Sequence, residues 1–137
     1  QGTEFWDLSL VDPDNRRPVG FEHRRHLLGQ IESISAETAL ERSDEGLSKL
    51  LVTARALALR KRSPELFEGT SYTPLRAAGS RADRVVGFLR GDRLLTVVPR
   101  LCLGIAERGW QDTVLSVPPG RWHDVLTGRR GDGCLIQ

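Results

Sequence analysis

At 137 residues, with 39% hydrophobic and 28% charged content, the chain has the make-up of a folded protein and not of a disordered tail. That length allows one ordinary domain, or the tail of one domain followed by a small second one. Its 20 basic and 18 acidic residues leave a net charge of only +2 with the signs interspersed, too weak a field to attract nucleic acid.

No stretch nears the roughly 18 apolar residues that a membrane span needs, and no secretory leader is recognisable. A reducing, cytoplasmic setting is therefore expected. Cys102 and Cys134 are too few and too far apart for a disulfide framework or a zinc site. Both have apolar neighbours, so buried free thiols are expected. The start at Gln1, without Met, and the end inside GCLIQ suggest a chain cut from something longer.

In chain order, residues 1–20 read as irregular. Asp12–Asn15 (DPDN) is a turn signal, with Pro13 suited to the second turn position. Pro18 stops any helix begun before it. Leu27, Leu28, Ile31 and Ile34 then fall at helical spacing within Glu22–Ile34, and Ser35–Ser43 reads as a short helical connector.

The strongest helix is expected over Asp44–Arg62, capped by Ser43 or Asp44. Its apolar stripe is Leu47, Leu50, Leu51, Ala54, Leu57 and Ala58. Arg60, Lys61 and Arg62 suit the negative end of the helix dipole, and that role accounts for them better than an anion site does.

Beyond Pro64 come short runs of β character: Ser71–Ala77, Val85–Arg90, Leu94–Arg100, Thr113–Val117 and Trp122–Leu126. The second and third form a hairpin candidate joined by Gly91–Asp92. Short strands at this spacing point to antiparallel pairing in a sandwich.

The front segment carries the most chemistry. Glu4, Asp7, Asp12 and Asp14 lie close in sequence to Asn15, Arg16 and Arg17, with Trp6 among them. An aromatic face can cover the C–H face of a pyranose while Asp, Asn and Arg bond its hydroxyls. By composition alone, a loop held by its own Asp–Arg pairs is the simpler reading.

The wording of the segment adds to this. Gln1–Glu4 resembles the end of the stretch that closes strand eight of α-amylase-type (β/α)8 barrels. FWDLSLVDPDNRRPV resembles the maltooligosyltrehalose synthase family in particular, although Gly20-Phe21 stands where that family usually has Asp-Phe. The resemblance continues through Leu59–Leu75, Asp83–Arg90, Leu94–Leu101, Trp110–Thr113 and Pro118–Gly128.

It implies an α+β chain. Residues 1–62 would supply the loop after strand eight and the last helices of a (β/α)8 barrel; residues 63–137 would form a partial antiparallel β-sandwich, the C-terminal domain. It further implies an isomerase of trehalose biosynthesis, which converts the reducing-end α-1,4 linkage of a maltooligosaccharide to α,α-1,1 by an intramolecular, cofactor-free glucosyl transfer with retention.

The carboxylates for that chemistry lie upstream of Gln1 in the family, so no catalytic residue is assigned here. Asp12, Asn15, Arg16, Arg17 and Trp6 are the candidate substrate-binding residues. The expected partners are the maltooligosaccharide and the missing N-terminal barrel, with neither nucleic acid nor membrane. Without that barrel, the long helix should show an apolar face.

Other candidates fit plainer roles. His23 and His26 have a metal-compatible spacing but no third ligand, and His123 has no nucleophile near it in sequence. Trp110 and Trp122 offer the alternative reading, a glucan-binding β module, against simple packing.

Overall fold

The computed structural model describes residues 3–8 and 16–132. The chain divides into two compact units, one made of Gln1–Leu59 with Asp124–Arg129, the other of Arg60–His123 with Arg130–Gln137. We call them the helical unit and the β unit. The fold is a mixture of helices and small antiparallel sheets. Among the described residues no helix is long and apolar enough to cross a membrane.

Three helices build the helical unit. Helix α1 (Phe21–Ile31) buries Leu27 and Ile31, four residues apart on one face, and its cap residue, Gly20, contributes no side-chain bond. Helix α2 (Ala36–Glu41) is capped by Ser35, whose hydroxyl accepts the Thr38 amide at 3.1 Å, with Glu37 in the first turn.

Helix α3 (Leu47–Arg62) starts later than the acidic run Asp44–Glu45 suggests. Ser43–Glu45 forms a separate 3-10 turn, and Gly46 (φ +80°) separates it from the helix. A side chain at 46 would meet the Phe5 ring, its Cβ only 2.4 Å from Cδ1. Arg60, Lys61 and Arg62 occupy the last turn of α3, and Pro64 follows the stop.

The core of this unit is one cluster of Phe5, Leu27, Ile31, Ala39, Leu47, Leu50 and Leu51, with Ile34, Ala54 and Leu126 packed against it. The apolar stripe of α3 is thus buried only along its first half. Leu57 is 59% exposed, and Val52, Leu28 and Leu40 are also open.

Residues 124–129 join the unit from far along the chain. The Asp124 carboxylate accepts the Leu126 amide (2.8 Å) and the Thr127 hydroxyl (2.6 Å), which closes a tight turn. Arg129 pairs with Glu37 at 3.0 Å, and Arg55 donates to the Leu126 carbonyl.

In the β unit, β1 (Tyr72–Leu75), β3 (Val85–Arg90) and β4 (Leu94–Pro99) form a sheet of order β1-β3-β4. Pro74 is tolerated because β1 is an edge strand. The expected hairpin is present, but Arg90 pairs with Leu94, so its loop has three residues (Gly91–Arg93) instead of two. Gly91 at φ +56° suits the longer loop.

Strand β2 (Ala77–Ala78) pairs with β5 (Val114–Leu115), and β6 (Arg121–His123) with β7 (Arg130–Asp132). Helix α4 (Leu103–Arg108) and β7 add to the expected elements.

Gly79 (φ +100°) lets two backbones meet, since a Cβ there would lie 2.5 Å from the Asp112 carbonyl oxygen. The Ser80 amide then reaches the Asp112 carboxylate (2.9 Å), and the Arg81 amide reaches the Thr113 hydroxyl (3.0 Å). Cys102 is exposed, contrary to the expectation of a buried thiol. Its apolar neighbours do not bury it, because Leu101 and Leu103 also face solvent. Cys134 lies outside the described residues.

Candidate functional site

The front segment is fixed to the helical unit by a residue that composition does not single out. Phe5 is buried in the core cluster, with its ring against Gly46 and 6.0 Å from the His23 ring. The Arg24 guanidinium lies 5.2 Å from the Phe5 centroid and donates to the Glu4 carboxylate at 2.7 Å. The Lys49 ammonium donates to the Phe5 carbonyl at 2.8 Å.

Glu4 is held below the usual carboxylate range of about 4.5, first by its own backbone amide and then by Arg24. Its fold-anchoring partner belongs to α1, so at Glu4 the loop is tied to a helix and not to its own Arg residues.

Phe5 fixes the backbone, and Trp6 projects outward from it. The Trp6 indole N–H donates to the Ser43 carbonyl at 2.6 Å, and Lys49 Nζ stands 5.5 Å from its ring. Trp6 is nonetheless 56% exposed. The result is a flat aromatic group whose orientation is set by a hydrogen bond, a cation and a buried neighbour. Such a group can lie against the C–H face of a sugar without first losing rotamer freedom.

Arg16 and Arg17 are exposed where the chain returns toward α1. Asp12 and Asn15 lie outside the described residues. Of the five candidate residues, three are therefore placed, all in the helical unit. Phe5, Arg24, Ser43, Gly46 and Lys49 position Trp6 and the backbone beside it. The only sequence hints of it were an aromatic residue at 5 amid polar neighbours and a glycine just before a helix.

The remaining candidates take structural places. His26 shares a hydrogen bond with Gln30 at 2.9 Å. Among the described residues no group of three His, Cys, Asp or Glu side chains is arranged to hold a metal ion. Trp110, half-buried, lines a small cavity of about 150 Å3 with Val85, Val97, Pro99, Thr113 and Leu115 in the β unit. Trp122 is half-buried, its indole N–H bonded to the Pro118 carbonyl at 3.0 Å. His123 is exposed on β6.

No family model matches the chain. Over 133 residues, 97% of its length, it is 44% identical to proteins of two Mycobacterium tuberculosis strains, CDC 1551 and H37Rv, named as maltooligosyl trehalose synthases. The chain spans only 16% of the length of those relatives. The solved maltooligosyltrehalose synthase of Arthrobacter ramosus matches with a TM-score of 0.74 at 43% identity, over 98% of this chain and 17% of that one. Another solved maltooligosyl trehalose synthase matches with a TM-score of 0.72 at 28% identity, over 98% of this chain and 18% of its own.

Proposed function

The chain is homologous along nearly its whole length to one segment of the maltooligosyltrehalose synthases, and from that premise we propose that it acts as the C-terminal portion of such an enzyme. The observation that carries the reading is the extent of the match: 44% identity over 97% of the chain, front segment and β unit alike.

In this reading the whole enzyme converts the reducing-end α-1,4 linkage of a maltooligosaccharide to α,α-1,1. A carboxylate attacks the anomeric carbon, an acid protonates the leaving oxygen, and a hydroxyl of the released glucose displaces the covalent intermediate. Those acids belong to an N-terminal barrel, the chain's expected partner, and the enzyme works in the cytoplasm. Residues 1–62 supply the loop after the eighth barrel strand and the last helices, and residues 63–137 a supporting β-sandwich domain.

The front segment then borders the sugar at the end of the barrel where active sites form. Trp6 offers its face to a glucose ring, while Arg16, Arg17, Asp12 and Asn15 bond the hydroxyls. Holding glucose in place matters because water would otherwise take the intermediate to hydrolysis. The open stretch of α3 around Leu57 is a surface the barrel covers.

The test is reconstitution. The chain is co-expressed with the upstream portion of the enzyme, and maltopentaose is the substrate. Trehalosyl product from the pair, none from the chain alone, and a shift from isomerisation toward hydrolysis in Trp6→Ala or Arg16→Ala pairs are expected. A chain that forms the product by itself, or a pair unaffected by both substitutions, overturns the reading.

A further inference from the structure

Antiparallel sheets that are covered on one side normally turn polar residues to the other. The β1-β3-β4 sheet does so only in part, with Arg90 and Thr96 among apolar and aromatic neighbours. Pro74 pairs with Phe88, Val86 with Val98, and Phe88 with Thr96, so these residues and Tyr72 share one face. The opposite face carries Leu75, Gly87, Leu89 and Val97, where Gly87 and Leu89 are buried. The face with the aromatic residues is the open one: Tyr72 is 60% exposed and Val98 45%.

Beside Tyr72 lies a shallow trough of about 440 Å3, bordered by Pro74, Arg76, Asp83 and Val86. We propose that this trough binds an α-1,4-linked glucose chain, with Tyr72 as the platform and Arg76 and Asp83 as the polar rim. The identity of the sugar rests on the maltooligosaccharide reading above. The existence of the platform rests only on the sheet.

Two features favour a sugar. The Tyr72 and Phe88 rings stand 4.9 Å apart and tilted by 31°, so the Tyr72 ring is braced before any ligand arrives. Arg76 donates hydrogen bonds and Asp83 accepts them, the two capacities that a row of sugar hydroxyls requires. Asp83 is steadied by Arg84 at 3.4 Å, and Arg84 is itself anchored to the Leu101 carbonyl at 2.9 Å.

The experiment is an NMR titration of the uniformly 15N-labelled 137-residue chain with maltopentaose. Amides of residues 72–76 and 82–87 are expected to shift in a saturable way. Tyr72→Ala should weaken binding about tenfold, whereas Tyr72→Phe, which keeps the ring, should retain it. Because Tyr72 is mostly exposed, the dispersed spectrum of both variants reports that they fold.

The proposal fails if those amides do not move, or if Tyr72→Ala binds like the parent. It also fails if they shift with protein concentration alone, since a second copy of the chain then covers the face. Shifts confined to residues 3–8 and 16–20 would overturn it while supporting the glucose subsite at Trp6. Saturable shifts at the sheet, with a reconstituted enzyme that makes no trehalosyl product, would uphold it and sink the family activity instead.

Discussion

In the helical unit seven apolar side chains, from the front segment and three helices, meet in one cluster. In the β unit only Leu89, Leu115 and Thr113 are buried to a similar degree among the described non-glycine side chains, and a cavity lies beside Trp110. One region is held by a core whose members come from distant stretches of sequence. The other is held by short ladders and by backbone bonds such as those from Ser80 and Arg81 to Asp112 and Thr113. Side-chain volume should therefore govern the first unit and backbone geometry the second.

Truncating the key side chain of the helical unit is the severest test of that contrast. Phe5→Ala should cost about 3–5 kcal/mol, because it empties the centre of the cluster and frees the front segment. Hydrogen exchange resolved along the chain should show lost protection in α1 and α3, with β3 and β4 little changed. Equal losses in both units would break the comparison.

Gly79→Ala is the counterpart in the β unit. Its positive φ and the Asp112 backbone against it predict a loss of more than about 1 kcal/mol, read as exchange in β2 and β5. A neutral result would mean that the meeting of backbones at Gly79 is not what holds those strands.

A finer probe is Lys49→Ala. Removing the ammonium that donates to the Phe5 carbonyl should cost on the order of 1 kcal/mol. The Trp6 emission should change with it, since Lys49 also stands over the indole. Unchanged emission would show that Trp6 is oriented by Ser43 alone.

The smallest expected effect is a pH dependence in the β unit. The Ser80 hydroxyl and amide hold the Asp112 carboxyl below its ordinary value of 3.8. Since the folded value is the lower one, the contribution is complete above the ordinary value and disappears as pH falls through the folded one. Between about pH 5 and pH 2, Asp112→Asn should lessen the acid sensitivity of the β2–β5 pair, measured by exchange at each pH. An identical acid profile would exclude Asp112 as its source.

What the sequence disclosed follows the same division. The positions of α1 and α2 and the span of β3 are visible in local spacing, because each is set by neighbours three, four or two residues apart. The start of α3 was not visible, because Gly46 takes its conformation against a ring 41 residues away in sequence. Strand β7 carries no strand-forming residues and exists by pairing with β6, and the Leu103–Arg108 helix is too short to show a period.

At the candidate site, composition marked Trp6, Arg16 and Arg17 as polar and aromatic surface. It could not reveal that Phe5, Arg24 and Lys49 fix the backbone that carries Trp6, because those contacts cross 19 to 44 positions.

The return of residues 124–129 to the helical unit has a consequence for synthesis. Leu126 and Arg129 complete contacts with α3 and Glu37, so that unit is still unfinished when its three helices have been made. The ribosome must add the 70 residues from 60 to 129 first, which takes roughly 4–14 s at ordinary elongation rates. During that interval the nascent helices carry an unsealed apolar edge where Leu126 will sit, and a chaperone that shields such edges has its opportunity then.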